Sequence, residues 1–363
     1  MLQLLLGRPT LGEGVPVQVR FNVRKSCVKE CHGGMKNVPL VAQSNYKPPL
    51  FCSNPHLQTV VPTMFRNVPG VTYQRERIET PDGDFLDLDW SRVGSKRLAV
   101  VLHGLEGDSG RPYMMGMVKA LNRDAWDVLA MNLRGCSGEP NRTLRMYHSG
   151  ETDDLHTVIC HVSASGIYTG LALVGFSLGG NAILKYLGER GDSTFDSIKA
   201  AVTISVPCDL KACSVRLEDF RNRLYLKRFL RMLRRKIRAK AVIMPESIDD
   251  VGYDRIRTLK EFDDRYTAPI HGFKDADDYY EKSSSRHFLS TISVPTLLIN
   301  AADDPFLAAS CFPTEDAKTN RYLFLEIPQH GGHVGFMTFD NNGEYWSETR
   351  ATSFLGTILH DLA

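Results

Sequence analysis

No stretch of the chain approaches the roughly 20 consecutive apolar residues that a membrane-spanning helix needs. The opening MLQLLLGRP has an apolar core of about five residues, well short of a signal-peptide core, which predicts a cytoplasmic protein. Cysteine is sparse. Eight are scattered over 363 residues, which excludes the dense disulfide framework of a small secreted domain and fits a reducing compartment. Cys27, Cys31 and His32 look like half a metal site, but no second Cys/His pair follows at zinc spacing, so no metal is expected. Excess charge of either sign is also absent. A net charge of +2 gives no global reason to expect nucleic acid. There is no internal repeat and no low-complexity tract.

What is present is ordinary for a globular enzyme: 42% hydrophobic and 24% charged residues. Residues 1 to about 45 lack clear periodicity and are read as an extension to a single α/β domain spanning 46–363. From Val71 the pattern becomes regular, with VTYQRERIET, a Pro81-Asp82-Gly83 turn and the alternating FLDLDW, which together predict a hairpin. Six short apolar runs then begin at Leu98, Asp127, Leu171, Ile198, Val294 and Tyr322, mostly separated by segments with helical spacing. This alternation predicts a mostly parallel sheet of about eight strands flanked by helices. Residues 208–290 separate two strands by far more than an ordinary loop, and are read as a helical cap insertion. In it, Leu226, Phe229, Leu230, Leu233 and Ile237 form one helical face beside eight Lys/Arg between Lys227 and Lys240. A basic, solvated face is expected there, with peripheral contact to anionic membrane as the sharper alternative.

The join between a strand and a helix carries Gly175-Phe176-Ser177-Leu178-Gly179, a G-x-S-x-G elbow with Gly180 following. Glycines two residues either side let the chain turn sharply and lift one hydroxyl above the sheet, and the helix start offers Leu178 N–H to developing negative charge. A serine needs a base, and the base an orienting acid. NAADDPF supplies Asp303 and Asp304 after the next-to-last strand, and HGGHVGF supplies His330 and His333 after the last. Asp209 is a rival acid. In the loop after LAVVLHG, Leu105 N–H is the candidate second oxyanion donor, and His103 is read as structural.

These residues resemble the YheT-like, embryogenesis-associated branch of the α/β-hydrolases. The likeness is carried by SNPHLQT (53–59), HGLEGDSGRPYM (103–114), NLRGCSGEPN (132–141), YHSGETDDL (147–155), GFSLGGNAILKYLGE (175–189), EFDDRYTAP (261–269), GFKDADDYY (272–280) and GGHVGF (331–336). It implies an α/β-hydrolase fold and a serine esterase that cleaves carboxylic esters, short- to medium-chain acyl esters or lipids, through Ser177, Asp304 and His333, without a cofactor. Asp304 is preferred to Asp303 because it directly precedes Pro305. Two alternatives stand beside this reading: an acyltransferase, suggested by the H-x-x-x-x-D spacing of His148 and Asp153, and a binding module that has kept the fold without its chemistry.

Overall fold

The computed structural model describes residues 40–361 apart from 42 and 340–342. Cys27, Cys31 and His32, and most of the expected extension, lie outside these residues. Of its last residues, Leu40 pairs in parallel with Leu325 and Val41 N–H donates to Leu325 O, so 40–41 add to the sheet edge.

Eight strands form one sheet: β1 (Gln74–Glu79), β2 (Phe85–Ser91), β3 (Arg97–Leu102), β4 (Asp127–Met131), β5 (Gly170–Phe176), β6 (Ile198–Ile204), β7 (Thr296–Ile299) and β8 (Leu323–Glu326), in the order β1-β2-β4-β3-β5-β6-β7-β8. β1 and β2 are the expected hairpin, turning at Gly83 (φ 76°), and β2 meets β4 antiparallel; every later pairing is parallel. The apolar runs are continuous rather than alternating because both faces are covered. In β3, Leu98, Val100 and Leu102 pack into one hydrophobic cluster while Ala99 and Val101 pack into another.

Helices α1 (Pro55–Phe65), α2 (Pro112–Arg123), α3 (Asp153–Ala164) and α4 (Leu178–Arg190) precede β6. α2 contributes Met114, Met117, Val118 and Leu121 to the second cluster, and α3 and α4 cover the first with Leu155, Val158, Ile159, Ile183, Leu184 and Leu187. Between β6 and β7 the chain forms α5 (Leu210–Leu217), α6 (Arg223–Ile243), α7 (Leu259–Phe262), a π-helical turn (Asp263–Thr267), α8 (Ala268–Ile270) and α9 (Ala276–Ser283). α10 (Thr314–Thr319) and α11 (Trp346–Asp361) complete the chain.

The basic face expected of α6 divides. Leu226, Leu230, Leu233 and Ile237 are buried, but Lys240 is buried with them, donating to Asn141 O and Thr143 O. Lys236 turns inward to Glu106 and Gly135 O, and Arg234 and Arg238 pair with Asp250. The sequence stripe could not show these partners, which lie on distant loops.

NLRG in the sequence becomes a buried ionic knot. Arg134, 1% exposed in its side chain, reaches Asp82 at 2.8 Å, Asp84 at 3.1 Å and Asp154 at 2.6 Å, tying the β1–β2 turn to α3. Removing one partner from a buried network strands the others without compensation. Arg134→Leu is therefore expected to lower unfolding free energy by about 3–5 kcal/mol, read by urea denaturation; a loss below about 1 kcal/mol, the range of a surface pair, would contradict this.

Candidate active site

The C-terminal ends of the parallel strands carry the chemistry-bearing loops. Ser177 joins β5 to α4 with φ 51° and ψ −118°, a sparsely populated conformation. The glycines around it have steric reasons. A Cβ on Gly175 would lie 2.7 Å from Gly180 Cα, one on Gly179 would lie 2.6 Å from His103 O, and one on Gly180 would lie 2.6 Å from Val206 Cγ2. The turn is held by Ser177 N–H donating to Ile204 O at 2.9 Å.

Of the two acids and two histidines, the loops sort them into separate pairs. His333 Nε2 lies 3.0 Å from Ser177 Oγ, and His333 Nδ1 lies 2.9 Å from Asp304 Oδ2. The carboxylate accepts, so Nδ1 carries the hydrogen and Nε2 is free to accept from the serine hydroxyl. Asp304 is fixed in turn by Phe306 N–H, which donates to Oδ1 at 2.9 Å. Asp303 instead meets His330 Nδ1 at 3.1 Å and accepts from Gly332 N–H at 3.0 Å. Burial pushes Asp303 above the usual carboxylate range. Asp209 caps α5 through Ala212 N–H and pairs with Arg286, away from this arrangement.

His103 is fully buried and linked to backbone on both sides: Leu133 N–H donates to Nε2 at 3.1 Å, and Nδ1–H donates to Gly104 O at 2.8 Å. Burial pushes it down to about 4, so it is neutral. In the loop that follows, Gly104 N–H donates to Tyr113 Oη, Glu106 N–H to Tyr147 Oη and Gly107 N–H to Gly104 O. Leu105 N–H is left unengaged among the described residues. Leu105, Leu178, Ser177 and His333 all border one cleft, and Leu178 N–H is at the first turn of α4, where helical N–H groups lack intrahelical partners.

His148 and Asp153 do not meet. His148 Nδ1 accepts from Gly150 N–H at 3.1 Å, while Asp153 pairs with Arg145 at 3.0 Å. At this helix start Glu151 Oε1 accepts from Asp153 N–H at 2.9 Å, and Thr152 makes no side-chain cap. His148, Glu151 and His271 have ligand-type atoms within 4.8 Å of one another, but Arg145 already occupies Glu151 Oε2 at 2.6 Å. That cluster is an internal polar contact.

Several positioning residues escaped the sequence reading. Thr59 Oγ1 accepts from His333 N–H at 2.9 Å, Gln58 Oε1 from Met337 N–H at 3.0 Å, and Ser205 Oγ from Val334 N–H at 2.9 Å. Gln58 and Thr59 belong to SNPHLQT, whose Asn54 and Pro55 start α1 in the usual way, with Asn54 accepting from His56 and Leu57 N–H. The signal was visible as a motif, but its partner lay some 270 residues away. Phe306 packs against the His333 ring in a tilted arrangement, 4.4 Å between centroids.

The comparisons agree with this architecture. Residues 100–340 match the family model of the alpha/beta hydrolase fold. The chain is 38% identical to the YheT protein of Escherichia coli (strain K12), provisionally named an esterase, over 85% of this chain and 92% of that protein. It is 32% identical to Phospholipase ABHD3 of Mus musculus, over 82% and 74%. Among solved structures, the Pyrococcus furiosus esterase Pf2001 superposes with a TM-score of 0.54 at 18% identity, covering 79% of this chain and 93% of that one, a likeness of fold. The chain belongs to the α/β-hydrolase family, in its YheT-like branch.

Thr59→Val removes the acceptor for His333 N–H while nearly preserving shape. Turnover of a nitrophenyl ester is expected to fall at least about tenfold while the variant stays folded at the assay temperature, because small displacements of a reacting group are costly. Unchanged turnover would show that the α1 contact does not set the imidazole.

Proposed function

We propose that this protein is a carboxylic ester hydrolase that works through a covalent acyl-enzyme. The observation carrying the proposal is the hydrogen-bonded series Asp304–His333–Ser177, at 2.9 and 3.0 Å, on the wall of a largely apolar cleft. Ser177 Oγ attacks the acyl carbonyl as His333 Nε2 takes its proton, and Asp304 holds the imidazole and stabilises its charged form. The N–H groups of Leu105 and Leu178 receive the oxyanion. His333 then protonates the leaving alcohol, and water, activated by the same imidazole, releases the acid. The names of the relatives, an esterase and a phospholipase, support esters of small or lipid molecules as the substrate class. The separation of His148 from Asp153 leaves acyl transfer without a motif of its own.

In this reading the segment between β6 and β7 serves as the cap. Among the described residues no helix is long and apolar enough to cross a membrane. Peripheral contact is supported by a narrower face than the whole basic helix: Leu224, Arg228, Arg231 and Arg235 recur at helical spacing opposite the buried stripe of α6. Leu224 is 82% exposed, and these three arginines make no ion pair among the described residues. Across the cleft, α1 exposes Met64 and Phe65, and Thr63 and Arg228 border the same mouth. Such a basic and apolar rim suits an anionic lipid surface.

Ser177→Ala and Asp304→Asn should each lower ester turnover by at least about a thousandfold, whereas Asp303→Asn should leave it within about threefold. Equal losses for the two aspartates would overturn the assignment of the acid. On vesicles containing phosphatidylserine at low salt, wild type should sediment and Arg228→Gln/Arg231→Gln/Arg235→Gln should bind at least about fivefold less. Equal binding by both would remove the membrane reading.

A further inference from the structure

The cleft beside Ser177 has two lobes of different chemistry. One passes between α1 and α6 and carries Arg66, Glu106, Arg111 and Arg228. The other runs under the segment between β6 and β7, with Leu210, Leu217, Phe229, Leu233 and Ile237 among its walls. An ester set on Ser177 would place its acyl chain in the apolar lobe and its alcohol portion toward the charged one.

The apolar lobe also carries a carboxylate. Asp263, at the start of the π-helical turn, borders it. No cation forms an ion pair with Asp263 among the described residues. Its carboxylate accepts two hydrogen bonds, from Thr267 Oγ1 at 2.6 Å and from Tyr280 Oη at 2.7 Å. An ionised carboxylate offers about four lone-pair sites, so acceptor capacity is left over. Burial pushes Asp263 up to about 6, the reverse of what a stabilising ion pair would do. Asp263 is half-buried, so water meets its spare acceptors until an alkyl chain covers the wall and strands them. π-helical turns often mark functional positions, and this one puts the acid where the acyl chain would lie.

We propose that Asp263 forms a polar subsite in the acyl lobe, accepting a hydrogen bond from a hydroxyl on the substrate's acyl chain, so that hydroxylated acyl esters are the favoured substrates. The proposal rests on the ester-hydrolase reading above. A bound hydroxyl would complete the carboxylate, whereas a plain alkyl chain would bury it with its acceptors unmet, and sites built for a hydroxyl discriminate strongly against analogues that lack it. Asp263 is then a specificity-determining residue, with no part in bond making.

The test uses nitrophenyl esters of saturated acids from hexanoate to dodecanoate, each with and without a terminal hydroxyl. Wild type should show a kcat/KM ratio of at least about tenfold in favour of the hydroxylated ester at one or more lengths. A ratio below that at every length overturns the proposal. Asp263→Asn leaves one acceptor oxygen for two internal donors. At the favoured length it should reduce the ratio at least about threefold and keep turnover of the plain ester within about threefold of wild type. An unchanged ratio in this variant, or an equal loss on both esters, overturns the assignment to Asp263. Should the variant not fold, the wild-type comparison still decides. Failure to hydrolyse any of these esters would count against the hydrolase reading itself, and is distinct from hydrolysis without preference.

Discussion

The site depends first on a backbone conformation that an L-residue rarely adopts. Ser177 sits at φ 51° and ψ −118° between a strand and a helix, and such positions cost on the order of 1–3 kcal/mol unless their surroundings over-determine them. The surroundings do so here. Gly175, Gly179 and Gly180 admit the close backbone approach, and β5 is flanked on both sides by parallel strands, so the turn cannot relax without breaking the sheet. The same economy recurs around the rim. Of the six non-glycine residues with positive φ among those described, Glu106, Ser177, Ser205, Val334 and Phe336 all lie in loops at the C-terminal ends of β3, β5, β6 and β8. Strain is thus concentrated around Ser177 and His333.

The second constraint is the placement of an imidazole by parts of the chain far apart in sequence. His333 is held at its backbone by Thr59 of α1, at Nδ1 by Asp304, and at its ring face by Phe306. Gln58 fastens the end of the same loop, and the single hydroxyl hydrogen of Tyr46 is shared between Met337 O at 2.9 Å and Gln58 Oε1 at 3.1 Å. α1 therefore acts as a brace for the histidine loop rather than as a peripheral helix. Its sequence, SNPHLQT, is built for that purpose: Asn54 and Pro55 start the helix, and Gln58 and Thr59 turn inward a turn later.

Much of this was legible in the sequence because local chemistry and global position coincide there. G-x-S-x-G predicts its own turn, and short apolar runs bounded by Gly and Pro predict buried strands, although runs such as Val294 to Pro305 outlast β7, which spans only Thr296–Ile299. The excess is the loop that carries Asp303 and Asp304. For the two adjacent acids the sequence offered only the place of Asp304 before Pro305; their separate pairing is a matter of the fold, because adjacent side chains leave the backbone in different directions and each reaches a different histidine. The α6 stripe was correctly apolar, yet the fate of its cations was not readable: Asp250, Glu106 and Asn141 reach them from separate loops. Asp263 was visible only as one letter of EFDDRYTAP; its place beside the apolar lobe of the cleft comes from packing alone.

The central claim is that Ser177 is the activated nucleophile, and it is tested most directly by labelling the folded protein with a fluorophosphonate and locating the adduct by mass spectrometry. The account predicts one stoichiometric phosphonyl adduct on the peptide containing Ser177, lost in His333→Ala because the hydroxyl is then no longer activated. A folded wild-type protein that stays unlabelled, or one labelled at another serine, would contradict it.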